Sequence, residues 1–267
     1  MSGVFGLGEV RTEQIDRTWS ESANYGYFAG GDSSTPDEVC TIDRMDFSSE
    51  TVSLPASSLS AKRYGLAAVS SSNYGYFGGG EGPPYLVTVD RLDFSNETIS
   101  PLGNGLTQAR RRLAAVSNYN YGYFGGGSVP SVTVNTIDRI DFSTETIAVP
   151  PVENKLQQSR HNVTAVSASD YGYFAGGGAG FNGAPYVNTI DKIDFSNETT
   201  SAAANNLTQA RGGLAGSYNS NYGYFAGGFG PPYVTTIDKI DFSNETTSPS
   251  ANNLPQGVSD FAAGVSN

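Results

Sequence analysis

Apolar and aromatic positions along this chain fall in short bursts bounded by Gly, Pro, Asn and Ser. No window keeps the i, i+3, i+4, i+7 spacing of an amphipathic helix. Aromatic and β-branched runs punctuated in this way predict strands and turns throughout. The bursts also recur. Tyr-Gly-Tyr-Phe followed by glycines begins at Tyr25, Tyr74, Tyr121, Tyr171 and Tyr222, at steps of 49, 47, 50 and 51 residues. Ile/Val-Asp-Arg/Lys-x-Asp-Phe-Ser recurs with Phe47, Phe94, Phe142, Phe195 and Phe242. Leu-x-x-x-Arg recurs as Leu59 to Arg63, Leu106 to Arg110, Leu156 to Arg160 and Leu207 to Arg211, each time before a short apolar stretch such as Leu113-Ala-Ala-Val116.

One unit therefore predicts four strands. Strand a is the Leu-Ala-Ala-Val stretch and strand b is Tyr-Gly-Tyr-Phe. Strand c runs through Ile-Asp-Arg-x-Asp-Phe, and strand d follows a Ser-Asn-Glu-Thr turn. A lone sheet of this kind cannot bury both faces, so a tandem array of such sheets predicts an all-β propeller with five blades of four antiparallel strands. Residues 254–267 repeat the connector and strand-a portion. Phe261, Ala262, Ala263 and Val265 are expected to join strands b to d of the first unit and close the ring. The propeller is expected to span residues 25–267. Residues 1–24, which faintly echo strands b and c, read as an N-terminal arm or a degenerate partial repeat.

Composition narrows the function classes. The chain carries 33 Gly, 16 Tyr and 14 Phe against one His, one Cys and one Trp, and charged residues are 15% of it, below the roughly 25% of ordinary soluble domains. A net charge of −11 argues against nucleic acid and against an anionic membrane surface. No run of 18 apolar residues occurs and the first residues lack the basic and apolar stretches of a signal peptide. Cys40 has no partner for an intrachain disulfide. With His161 alone, a His-based triad cannot recur and a His cluster for zinc cannot form. The Gly-Gly-Gly runs precede neither a helix nor Lys-Ser/Thr, so they are not phosphate loops. The expectation is a protein that is not an enzyme and needs no cofactor.

These landmarks resemble the kelch repeat family: an Arg before a short apolar strand (Arg110 to Val116), then an aromatic strand ending in Gly-Gly (Tyr121 to Gly127). The chain departs from the kelch pattern where Asp-Phe replaces Tyr-Asp and where Ile99 or Ile147 sits near the place of the kelch Trp. Five blades is also fewer than the six or seven usual there. The wording Tyr-Gly-Tyr-Phe-Gly-Gly-Gly with Asp-Arg-Ile-Asp-Phe-Ser is most similar to kelch-like virion and tail-associated proteins of marine cyanobacterial bacteriophages. That resemblance implies a virion structural or accessory protein (tail, fibre or capsid-decorating), assembled in the host cytoplasm. It would be held to other virion proteins by its N-terminal arm, with a rim displayed toward host-surface glycans. The alternatives are a free lectin-like carbohydrate-binding propeller and a kelch-type protein-interaction module.

In a meander of strands a to d, the b–c and d–a loops emerge on one rim. The candidate ligand-binding residues there are Tyr85, Phe181, Tyr186, Phe229 and Tyr233 from the b–c loops, and Gln108, Gln158 and Gln209 with Arg63, Arg110, Arg160 and Arg211 from the d–a connectors. Flat rings beside amides and guanidinium groups suit a sugar or a peptide. Asp43/Arg44/Asp46 and its counterparts beginning at Asp90, Asp138, Asp191 and Asp238 form a charged ring. It reads as ion pairs between blades rather than a calcium site, because each copy brings its own base. Asn-x-Ser/Thr at Asn96, Asn162, Asn197, Asn206 and Asn244 reads as turn chemistry.

Overall fold

Each repeat folds as the alternation of its residues requires, and the five repeats are arranged as a five-bladed β-propeller. The structure is a computed structural model that describes residues 25–257 apart from 33–37, 56, 151–153 and 182. The expected closing strand around Phe261 to Val265 and the arm at 1–24 lie outside the described residues. Blade 1 contributes three strands, Tyr25–Asp32, Glu38–Asp46 and Thr51–Ser53. Blade 2 has four, Ala67–Ser70, Tyr74–Gly78, Val89–Asp93 and Ile99–Pro101, paired antiparallel in that order. Blade 3 (from Ala114–Ser117 to Thr146–Ala148), blade 4 (from Thr164–Ser167 to Thr200–Ala202) and blade 5 (from Ala215–Tyr218 to Thr247–Pro249) repeat the pattern. The register repeats as well: Tyr74, Tyr121, Tyr171 and Tyr222 each face the second Asp of their own strand c. The a strands lie innermost and line an axial cavity of about 230 Å³ with small residues such as Ala68, Ala115, Ala165 and Gly216.

Strand b of blades 2 to 4 is buried at every position after its first Tyr. In Tyr-Gly-Tyr-Phe the second Tyr is fully buried at Tyr76, Tyr123 and Tyr173, and its ring stacks on the Phe that ends strand c of the next blade. The pairs are Tyr27 with Phe94, Tyr76 with Phe142, Tyr123 with Phe195 and Tyr173 with Phe242, with centroids 5.3–5.5 Å apart and planes within 17°. A stack of this kind contributes about 0.5–1.5 kcal/mol beyond the area it buries. The glycines after Phe serve the same seam. Gly79 has φ +69°, and a Cβ there would lie 2.7 Å from the carbonyl oxygen of Arg110 on the next connector. The next glycine in each blade uses the close approach: Gly31, Gly80, Gly127 and Gly177 donate their amides to the carbonyls of Arg63, Arg110, Arg160 and Arg211 at 2.8–2.9 Å.

Ion pairs do join the blades, but their carboxylates are not the ones in strand c. The base of strand c lies over the first Tyr of its own blade, as in Arg91 over Tyr74 at 4.6 Å and Arg139 over Tyr121 at 4.5 Å. It then reaches the Glu of the next blade's c–d turn: Arg44 to Glu97, Arg91 to Glu145, Arg139 to Glu198 and Lys192 to Glu245. The same carboxylates accept the hydroxyls of Tyr27, Tyr76, Tyr123 and Tyr173. Burial and the adjacent Glu push the Tyr76, Tyr123 and Tyr173 phenols far above their ordinary pKa, so they stay donors. Each of these glutamates sits at positive φ, from 54° to 59°, which aims it across the seam. The second Asp of strand c caps the turn instead. Asp141 accepts the Ser143 amide at 2.9 Å and hydroxyl at 2.6 Å, and Asp46, Asp93, Asp194 and Asp241 do the same with their own serines. The sequons at Asn96, Asn197 and Asn244 belong to the same turns, each side-chain oxygen accepting the amide and hydroxyl of the Thr two residues on.

Glu145→Ala removes both the Arg91 and the Tyr76 contacts across one seam. It is expected to lower stability by about 1–2 kcal/mol in thermal or urea unfolding. Glu50→Ala, at the exposed counterpart on blade 1, is expected to leave the midpoint within the error of the measurement.

Candidate functional site

The upper face, where strands b end and strands a and c begin, gathers the twelve rim residues expected to bind a ligand, but the structure divides them sharply. Arg63, Arg110, Arg160 and Arg211 are not on the surface: each is 0% exposed. Their guanidinium groups lie 2.7–2.9 Å from Asp90, Asp138, Asp191 and Asp238, the first Asp of strand c in the same blade, which is also fully buried. Each also donates to the carbonyl of the strand-b Phe, at 3.0–3.2 Å, in Phe77, Phe124, Phe174 and Phe225. Burial pulls each guanidinium pKa down and the adjacent aspartate opposes the shift. These four arginines pin the connector into the blade and offer nothing to a ligand, which corrects the expectation from sequence. The connector's own residues complete the pair: Thr107 and Thr208 donate amide and hydroxyl to Asp138 and Asp238. Gln157, at the same place in blade 4, supplies only its amide to Asp191, whose pKa burial raises.

Gln108 and Gln209 are exposed and Gln158 is half-buried. The aromatic candidates are brought together in part. Tyr186 and Phe229 meet edge to face at 5.6 Å and 80°, and Phe229 and Tyr233 at 4.9 Å and 61°. Tyr233 is 58% exposed and Phe181, on the neighbouring loop, 37%. Tyr85, in the corresponding loop of blade 2, is instead half-buried beneath Arg111, whose guanidinium carbon lies 5.2 Å from its ring and 5.5 Å from that of Tyr64. Arg111 also pairs with Glu81, which accepts the Tyr64 hydroxyl.

Three residues of the upper face were not singled out as rim chemistry from the sequence: Arg111, Arg112 and His161. They follow the buried arginines on connectors that approach the axis. There Gly65, Arg112, Asn162 and Gly213, all at positive φ, hand a backbone hydrogen bond from blade to blade: Arg112 to the Gly65 carbonyl, Asn162 to Arg112 and Gly213 to Asn162, at 2.6–3.0 Å. The signal available was position, since each stands one or two residues beyond a recurring Arg while its own identity changes between repeats. His161 is 1% exposed. Burial, with Arg112 and Arg111 nearby, pushes its imidazole down to about 4. Among the described residues no group of three His, Cys, Asp or Glu side chains is placed to hold a metal ion. No protein-family model and no curated protein sequence matches this chain.

Arg110→Ala leaves Asp138 buried without its counter-charge and is expected to cost about 3–5 kcal/mol. The pair Arg110→Met with Asp138→Leu is expected to recover most of that in urea unfolding. His161 sets a second expectation. Its folded pKa lies below its unfolded value of about 6.5, so the unfolded chain binds the extra proton and stability falls as pH drops from 6.5 toward 4. The loss by pH 4.5 is on the order of 2–3 kcal/mol, and His161→Gln is expected to flatten that part of a melting-temperature profile.

Proposed function

We propose that this propeller is a non-catalytic recognition module that meets its partner through the upper face of blades 4 and 5. A β-propeller fits a protein-interaction or binding module, and the observation that supports this face is the Tyr186, Phe229 and Tyr233 group. Tyr233 is 58% exposed there beside the half-buried Phe229 and Tyr186, whereas the recurring second Tyr of strand b is spent in the seams of blades 2 to 4. Paired upright rings present flat apolar faces with a hydroxyl at the edge, the arrangement that stacks on a sugar ring or a planar side chain. The finer reading, on the kelch-like resemblance, is a virion accessory protein carrying this face toward a host-surface glycan. The near identity of the blades supports a scaffold role for what recurs in all of them.

A glycan array probed with the purified chain tests it. Binding is expected for the native protein and for Tyr85→Ala, whose ring is half-buried under Arg111, and is expected to be lost for Tyr233→Ala with its melting temperature unchanged. Loss with Tyr85→Ala but not with Tyr233→Ala would move the site to blade 2. Silence from every glycan would sink the sugar reading.

A further inference from the structure

The b–c loops of blades 2 and 5 are two copies of one structure carrying different side chains, and the comparison names a ligand. Both read x-Gly-Pro-Pro-Tyr, with Glu81 to Tyr85 in one and Phe229 to Tyr233 in the other. Both make the same bridges: Glu81 with Tyr85 and Tyr64, Phe229 with Tyr233 and Gly212. Both are closed by the same bond, Leu86 amide to Gly80 carbonyl at 2.9 Å and Val234 amide to Gly228 carbonyl at 3.0 Å. In blade 2 the loop holds a guanidinium. Arg111 of the following connector lies over Tyr85 and Tyr64 and pairs with Glu81.

In blade 5 the tyrosine is retained and the rest of the arrangement has changed. The position five residues after the connector Leu, which is Arg111 after Leu106, is Ser259 after Leu254, so the sequence carries no guanidinium at that position. Phe229 replaces Glu81, Gly212 replaces Tyr64, and Tyr186 of the preceding blade's loop adds a third ring. Tyr233 is 58% exposed where Tyr85 is half-buried. Rings set at 61° and 80° to one another form walls, and the negative faces of such walls attract a cation most strongly when it is an alkylated or guanidinium ion with little hydration to lose. The net charge of −11 draws a cationic partner toward the chain from a distance.

We propose that Tyr186, Phe229 and Tyr233 form an aromatic cage for an arginine side chain of a partner protein, the intermolecular counterpart of what Arg111 does within blade 2. This rests on the reading of the upper face as a recognition surface and gives that surface a ligand chemistry. The test is an NMR titration of the full chain with argininamide and, separately, with N-acetylglucosamine. Argininamide is expected to shift resonances of the three cage residues at millimolar concentration. Tyr233→Phe is expected to keep that affinity, because the ring face is unchanged, and Tyr233→Ala to weaken it roughly three- to fivefold. Shifts with N-acetylglucosamine but not argininamide overturn the cage while leaving the recognition face standing. Argininamide shifts that Tyr233→Ala leaves at full strength overturn the cage as well. No response to either probe, together with a silent glycan array, overturns both.

Discussion

A guanidinium with no exposure to water is stable in a protein only beside a carboxylate that neutralises it. This chain builds that arrangement four times among its described residues, with Arg63, Arg110, Arg160 and Arg211 each set against the first Asp of its own strand c. The pair fixes where each connector enters its blade. The carbonyl of the same Arg takes an amide from the glycine of the blade before, so one residue ties a blade to its neighbour through backbone and to itself through side chain. The glycine at positive φ, the innermost placement of strand a and the height at which the upper loops emerge all follow from that point.

The division of labour among acidic residues then accounts for most of the charge the sequence carries. In blades 2 to 5 the first Asp neutralises a buried base, the second Asp holds a turn, and the Glu of the c–d turn reaches the blade before. The Ser hydroxyls and amides hold the second aspartates below the usual carboxylate pKa, whereas burial holds Asp191 above it. Residues of one type, three or four positions apart, thus live in opposite electrostatic environments.

The strands, the blades and their number were legible in the sequence because each depends on local alternation repeated five times. The partners across a seam were not. The strand-c charges suggest ion pairs between blades with their own aspartates as the acids, yet Arg91 meets Glu145, 54 residues away in the c–d turn of the next sheet. The glutamate stands in a turn that sequence spacing does not connect to the neighbouring sheet. The rim arginines were misplaced for a related reason: a long charged residue beside a loop reads as exposed unless its buried counter-charge is known. The aromatic group was partly legible. Tyr186, Phe229 and Tyr233 were identifiable as loop aromatics, but that they meet while Tyr85 is covered depends on Arg111. Recurrence marks the scaffold here, but change between units does not by itself mark exposure, since His161 stands at a variable position and is buried.

The glutamate that crosses each seam has one more consequence. At each of the four described seams the acceptor is a Glu and the donors are a tyrosine and a base, with Arg and Lys interchangeable as the base. A junction therefore carries no address that distinguishes it from the others. Gain or loss of one internal unit in the gene would bring together a Glu and a tyrosine–base pair of the same kind as those it separated, so such a chain can change length in steps of a blade while its loops diverge one at a time.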